Sequence, residues 1–299
     1  LPVAASGYTE GYKRMLFLRP RFSDSSSALA DTISDARATA LMNEFINHMN
    51  NLSWGRIRIA PLGPGGSQFT PALAIGRPAG DYDNAGLSRL YPDARAAAAA
   101  AGFVLSDFAF AGVFTNGRPA AGYAGLAYVG GVGMHLANGY YGLSVFTHEF
   151  GHNLGLPHAH TWDTGDNSII GDGSNVEYGN NHDPMGSGGD GMHYTSSHKT
   201  SIDWIPDGES ARVTAAGVYR LHVSDEPRNG NGFRGLRVSR DAGRDYWFDY
   251  RATLSGTEFE RGLVLHFTNK QGEDSYRVDA LPRQSGLTLP VGKTFTDVA

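Results

Sequence analysis

Cysteine is absent from the 299 residues, and with it go disulfides, thiolate zinc sites, iron–sulfur centres and a cysteine nucleophile. Nor does any apolar run approach the roughly 20 residues that a membrane-spanning helix requires, so no membrane span is expected. Basic charge is not in excess: Lys plus Arg number 25 against 30 Asp plus Glu, a net charge of −5. No basic block interrupts the mixture, which argues against a nucleic-acid partner. The stretch from Leu1 to Gly7 lacks the charged start and long apolar core of an export signal. Because Leu1 stands in place of an initiator methionine, the chain reads as trimmed or processed. With 40% hydrophobic and 18% charged residues, it reads as a soluble globular protein able to bury one sizeable core or two domains. Its 40 glycines imply many turns of special backbone geometry.

The periodicities predict an α+β fold. Met15 to Leu18 is a short apolar run ending before Pro20, as in a buried strand. From about Ala28 to Leu52 the apolar residues Ile33, Ala36, Ala40, Leu41, Phe45, Met49 and Leu52 follow helical steps, and Arg56 to Ala60 alternates like a half-exposed strand. Pro92-Asp93 followed by alanines to Ala101 and then Gly102 carries helix start and stop signals. Phe103 to Phe114 and Tyr123 to Val129 read as strands of the same sheet. Beyond Trp204-Ile205-Pro206 the pattern becomes short alternating segments: Gly217 to Val223, Tyr246 to Arg251, Gly262 to Phe267 and Leu287 to Pro290. These features predict a mixed α/β domain over 1–206 and an all-β, sandwich-like accessory domain over 207–299, with the boundary near Pro206-Asp207-Gly208.

His148-Glu149-Phe150-Gly151-His152-Asn153-Leu154-Gly155-Leu156-Pro157-His158 is the most informative stretch, and it reads HExxHxxGxxH. On a helix, residues four apart share a face, so His148 and His152 can turn imidazole nitrogens toward one ion with Glu149 beside them. Leu143, Phe146, Phe150 and Leu154 can supply the buried face. A straight helix cannot bring His158 to the same ion, and Gly155 suits the left-handed conformation that turns the chain; Pro157 keeps helix from resuming. Three neutral imidazoles make a zinc site with a fourth position for water, the arrangement of a catalytic ion. Zinc lowers the pKa of that water to about 7, and Glu149 can take its proton and pass it to a leaving amine, so the reaction read from the motif is amide hydrolysis. Chance would produce three His, one Glu and one Gly at these offsets on the order of once in ten thousand such chains.

The motif resembles that of the metzincin zinc endopeptidases, in which a turn containing a methionine follows beneath the metal. Asp183-Pro184-Met185-Gly186 fits that turn, with Met185 as an apolar floor; Met192 in Gly191-Met192-His193-Tyr194 is a rival. Within the metzincins the chain is most similar to the gametolysin-like family and its bacterial relatives. The likeness runs through His148 to Leu156, Tyr178-Gly179-Asn180, His193-Tyr194-Thr195-Ser196-Ser197-His198-Lys199, Asp245 to Arg251 and Arg261 to His266, covering roughly residues 15 to 270. The resemblance implies a twisted mixed sheet, an active-site helix and a methionine turn. It further implies a secreted zinc metalloprotease made with a propeptide, which agrees with a chain beginning at Leu1.

Some positions depart from the family pattern. Many bacterial relatives have Asp as third ligand, whereas here His158 has the right spacing and His160 is an alternative. Tyr194 is the nearest candidate for an oxyanion-steadying tyrosine, with a packed tyrosine as the other reading. Asp163, Asp166, Asp172, Glu177, Asp183 and Asp190 lie among glycines and amides and suggest either a Ca2+ site or a solvated loop. His182, His193 and His198 could line a cleft or sit on the surface, as could His48 and His135. The expected partner is a protein or peptide substrate bound in extended form along an edge strand between Tyr123 and Leu136, by a monomeric enzyme. There, glycines 125, 130, 131 and 133 permit close backbone approach or mark turns. Two rival functions stand beside the endopeptidase: a binding or adhesive protein with a vestigial zinc site, and a zinc hydrolase of a non-peptide amide.

Overall fold

A computed structural model describes residues 6–27, 29–165, 171–226, 232–252, 262–269, 274–281 and 288–297. Leu1, Ala28, Asp166, Arg261 and Leu287, which figure in the expectations above, lie outside the described residues. The chain forms two compact units, one of Glu10–Gly155 and one of Leu156–Ala299 together with Leu1–Thr9. No helix among the described residues is long and apolar enough to cross a membrane.

After a one-turn helix α1 (Ser6–Thr9), the Glu10–Gly155 unit runs β1 (Gly11–Lys13), β2 (Met15–Arg21), α2 (Asp35–Leu52), β3 (Ile57–Ile59) and β4 (Gln68–Ala74). It continues through α3 (Gly86–Ala100), β5 (Phe110–Phe114), β6 (Gly125–Ala127), β7 (Gly133–Leu136) and α4 (Leu143–Leu154). Its main sheet has the order β4-β2-β5-β7-β6; all neighbours are parallel except β6, which pairs antiparallel with β7 and forms one edge. β1 and β3 pair separately.

Strand alternation explains why β2 and β5 are apolar throughout, since both of their faces are covered. Leu16, Leu18, Ala111 and Val113 pack with Leu87, Leu90, Tyr91, Ala94 and Ala98 of α3. The alternate residues Phe17, Phe110 and Phe114 meet the aromatic side of α4: Phe17 to Phe146 at 5.8 Å, Phe114 to Phe146 at 6.0 Å and Phe110 to Phe150 at 4.9 Å between ring centroids. Phe45 of α2 stacks on Phe146 at 3.8 Å and meets Phe150 edge-on at 5.2 Å.

Several boundaries differ from the periodicity. α2 begins at Asp35, not near 28, because Ser34 caps it by accepting from the Arg37 N–H at 3.3 Å. Ile33 is buried ahead of the helix, beside Asp31, whose carboxylate accepts from the Phe22 N–H. α3 begins at Gly86, and Pro92 lies in its second turn, where burial of Leu87, Leu90 and Tyr91 offsets the lost hydrogen bond. The strand expected from Phe103 starts only at Phe110; Phe103, Leu105 and Phe108 instead pack on the α3 cluster around a 3-10 turn, Leu105–Asp107. The strand expected over 123–129 is reduced to β6.

The second unit holds β8 (Ala159–Asp163), β9 (Ser174–Val176), α5 (Ser196–Ser201), β10 (Ser210–Val213), β11 (Gly235–Ser239) and β12 (Arg244–Asp249). β13 (Gly262–Asn269), β14 (Ser275–Val278) and β15 (Thr288–Pro290) complete it. Among the described residues these strands form one sheet, β10-β11-β12-β13-β14-β8-β9 with β15 on β13, largely antiparallel but parallel at β10/β11 and β14/β8. Facing sheets of a sandwich are not found there. β8 and β9 join the C-terminal strands, and the compact units part after Gly155. Gly217 to Val223 contributes only isolated bridges, Leu221 to Phe233 and Val223 to Tyr250.

The stacked rings make Phe146 the hinge of the first unit's core. Phe146→Ala should lower the stability of the metal-free chain by about 3–5 kcal/mol in urea unfolding; a loss below 1 kcal/mol would show that these rings do not hold α4.

Candidate metal centre

α4 is held on its apolar side by Phe146, Phe150 and Leu154, all fully buried, while Leu143 is only half-buried. Two polar contacts fix its rotation. Asn153 Nδ2 donates to the carbonyls of Tyr128 at 3.1 Å and Gly133 at 2.9 Å, and the Gly130 N–H donates to the His152 carbonyl at 2.8 Å. Set this way, the helix brings the rings of His148 and His152 to 4.8 Å, almost perpendicular to each other. Gly155 then ends the helix at φ 102°, left-handed as its type suggests, with its N–H capping α4.

Three residues further on comes His158. One nitrogen from each of His148, His152 and His158 lies within 4.8 Å of the others. A tetrahedral ion with zinc-like bond lengths separates its nitrogen ligands by about 3.3 Å, so small side-chain rotations would close the set on an ion. Three imidazoles are a donor set suited to zinc, and His148 and His158 are only half-buried, leaving the cluster reachable from solvent. His160 is not in the cluster. Its Nδ1 accepts from the Tyr178 N–H at 3.3 Å and its Nε2 lies 3.8 Å from Asp274.

Glu149 is buried beside the triad, and its Oε2 has no hydrogen-bond partner among the described residues. Burial pushes its carboxyl up to about 8; a bound cation would act in the opposite direction. The carboxylate fits because β6 has a glycine opposite it. A Cβ on Gly125 would stand 2.3 Å from Glu149 Oε1 and 2.5 Å from its Cγ. Behind the same edge, Tyr123 Oη shares a hydrogen bond with His135 Nδ1 at 3.1 Å, and His135 Nε2 with Thr115 Oγ1 at 2.8 Å. Burial lowers His135 to about 4, so it is a neutral core residue.

In the second unit Met185 is fully buried, whereas its rival Met192 is half-exposed. The Met185 carbonyl accepts from the N–H of Ala159, the residue after His158, at 2.9 Å. Asp183 locks the turn by accepting from the N–H groups of Met185 at 2.8 Å and Thr195 at 2.6 Å and from His198 Nδ1 at 2.9 Å. Burial raises its pKa, but His198 and the amide donors outweigh that and hold the carboxyl well below the usual range. Tyr194 is fully buried, its ring 5.7 Å from that of Trp204, which is the packed-tyrosine alternative rather than a group open to a reacting oxygen.

His182, His193 and His198 neither line a cleft nor sit on the surface: all are buried, His193 beside the buried Lys199 Nζ at 2.9 Å. His48 is half-buried. The acids Asp163, Asp172, Glu177 and Asp190 are exposed and form no ion-holding group with the buried Asp183; the His triad is the one such group among the described residues. The fold adds what approaches Gly125, the Glu149 side chain, and what Tyr178 faces, the His158 ring. Comparison with family models and with curated proteins finds no match for this sequence.

The Gly125–Glu149 contact makes a testable pair. Gly125→Ala should destabilise the metal-free chain by about 1–3 kcal/mol through overpacking. Most of that cost should vanish in a Glu149→Ala background, since the displaced atoms are gone. Equal costs in both backgrounds, measured by urea unfolding, would place the clash elsewhere.

Proposed function

We propose that the chain is a metzincin-type zinc endopeptidase, with His148, His152 and His158 as metal ligands and Glu149 as general base. The observation that carries this reading is the convergence of three imidazole nitrogens within 4.8 Å, next to a buried carboxylate. When bound, zinc supplies a Lewis acid that polarises a carbonyl and acidifies water to a pKa of about 7.

The chain's own residues do the positioning and the proton transfer. Glu149 Oε2 takes the proton of the attacking water and delivers it to the departing amine. Packing of α4 holds the carboxylate in place, and Gly125 leaves it room. β6 ends its sheet, so its outer backbone groups can pair with an extended peptide, and the exposed Leu126, Tyr128 and Val129 offer such a peptide apolar contact. Met185, buried and tied to the residue after His158, suits the role of an apolar floor. On this reading the substrate is a protein or peptide, and the enzyme is secreted after removal of a propeptide, as the resemblance implies.

Separating metal binding from turnover tests the reading. The zinc-loaded chain should cleave casein, lose activity to a chelator and regain it with zinc. Glu149→Ala should bind zinc as the parent does while kcat/KM falls about 10²–10⁴-fold. Peptide hydrolysis at the parent rate by that variant would rule out the proposed base. A zinc-loaded parent that binds proteins but cuts none would favour an adhesive role, and one that cleaves only small non-peptide amides would change the substrate class.

A further inference from the structure

His158 is held differently from the other two histidines. His148 and His152 ride on a helix clamped by aromatic packing, but His158 lies in extended chain just before β8, with its side chain 27% exposed. The Glu177 carboxylate stands 3.8 Å from His158 Nδ1, beyond hydrogen-bond reach, and Glu177 is 62% exposed, so it fixes the ring weakly. An aromatic contact stands beside it: the centroid of the Tyr178 ring lies 4.3 Å from that of the His158 ring, tilted by 52°.

Tyr178 carries this ring from an unfavourable backbone conformation. Its φ is 58°, in the left-handed region, which costs a tyrosine about 1–3 kcal/mol and persists only where surrounding contacts impose it. Those contacts are present. The Tyr178 N–H donates to His160 Nδ1, and the Gly179 N–H to the Val176 carbonyl at 3.0 Å. A Cβ on Gly179 would stand 2.9 Å from both Thr161 Cβ and the Val176 carbonyl, so the turn after β9 sits directly on β8. His160 is itself fixed, buried with its ring 5.2 Å from that of Tyr276, its register partner on β14. The rings of His158 and His160 lie 6.0 Å apart, perpendicular to each other.

We infer that Tyr178 is a positioning residue for His158, and that His160, rather than being a spare ligand, holds Tyr178 in the backbone conformation that puts its ring there. The inference rests on the reading of His148, His152 and His158 as metal ligands. Partners that orient a metal ligand by hydrogen bonding change metal affinity by about 10–100-fold, and a packed ring that limits the same rotation is expected to act on that scale.

The test uses the full chain, with zinc affinity measured by competition with a chromophoric chelator and the melting temperature of the metal-free form measured alongside. Tyr178→Phe keeps the ring and should bind zinc within about threefold of the parent. Tyr178→Gly and Tyr178→Asn remove the ring but adopt φ 58° readily. They should bind zinc about 10–100-fold more weakly without lowering the metal-free melting temperature. His160→Ala should weaken zinc binding to a similar degree, with little further effect in the Tyr178→Gly background. Parent-like zinc affinity in both ring-less variants would overturn the inference. So would an affinity loss matched by a falling metal-free melting temperature, or an equal loss in Tyr178→Phe. If the parent chain binds no zinc, or His148→Ala and His152→Ala bind it as the parent does, the underlying ligand assignment fails instead.

Discussion

Gathering three imidazoles from one short stretch of chain requires a helix that stops within a turn of its second histidine. α4 cannot present a third ligand by continuing, because 158 would rotate away from the face shared by 148 and 152. Gly155 resolves this at φ 102°, a conformation that would cost most other residues about 1–2 kcal/mol. The rest of the first unit serves to make that ending reproducible. Phe45, Phe110 and Phe114 grip the buried side of α4, and Asn153 ties it to the β6–β7 hairpin. Ligands mounted on a helix so constrained lose little freedom when an ion binds, which is the physical meaning of a preorganised site.

Two buried carboxylates show how differently two environments treat the same group. Asp183 is surrounded by donors, two amide N–H groups and His198, and stays ionised despite burial. Its contribution is to fix the turn that carries Met185. Glu149 is buried with one oxygen unpartnered among the described residues and its proton affinity raised, to about 8. A carboxyl buried with an oxygen unpartnered in this way is destabilising, and with its pKa raised it takes up a proton rather than carry an unpaired charge. Beside three converging imidazoles, that cost is offset once a cation shares the space.

The parts of this site that follow from spacing were legible in the sequence: the helical face of His148 and His152, the left-handed Gly155 and the choice of His158 by offset. The apolar run of β2 and the aromatic side of α4 were likewise readable from the sequence pattern. What sequence could not supply were contacts between distant segments. The glycine at 125 marks close approach, but only the fold shows that what approaches is Glu149. The strain at Tyr178 leaves no trace in residue type, since tyrosine does not signal a left-handed backbone as glycine does. The cap at Ser34 outcompeted an apolar periodicity that ran on to earlier residues, and burial of Leu87 and Leu90 drew Pro92 inside a helix it would ordinarily begin.

The same limit explains the division of the chain. Composition separates a mixed α/β region from a β-rich one near 206, yet strand pairing crosses that point. β8 lies between β14 and β9 in the second unit's sheet, with Ser275 to Val278 in register against Ala159 to Trp162. The strand that follows His158 is therefore an interior strand, its backbone hydrogen bonds satisfied on both sides by chain more than a hundred positions later on one side and by β9 on the other. A ligand next to such a strand inherits its rigidity, because moving residue 158 would strain the ladder that begins at 159. The C-terminal sheet, expected from composition to be an accessory, is thus a structural support for the third histidine. Truncating it would leave β8 as an exposed edge with unpaired amides, so the chain at His158 and the C-terminal strands are best regarded as one folded problem.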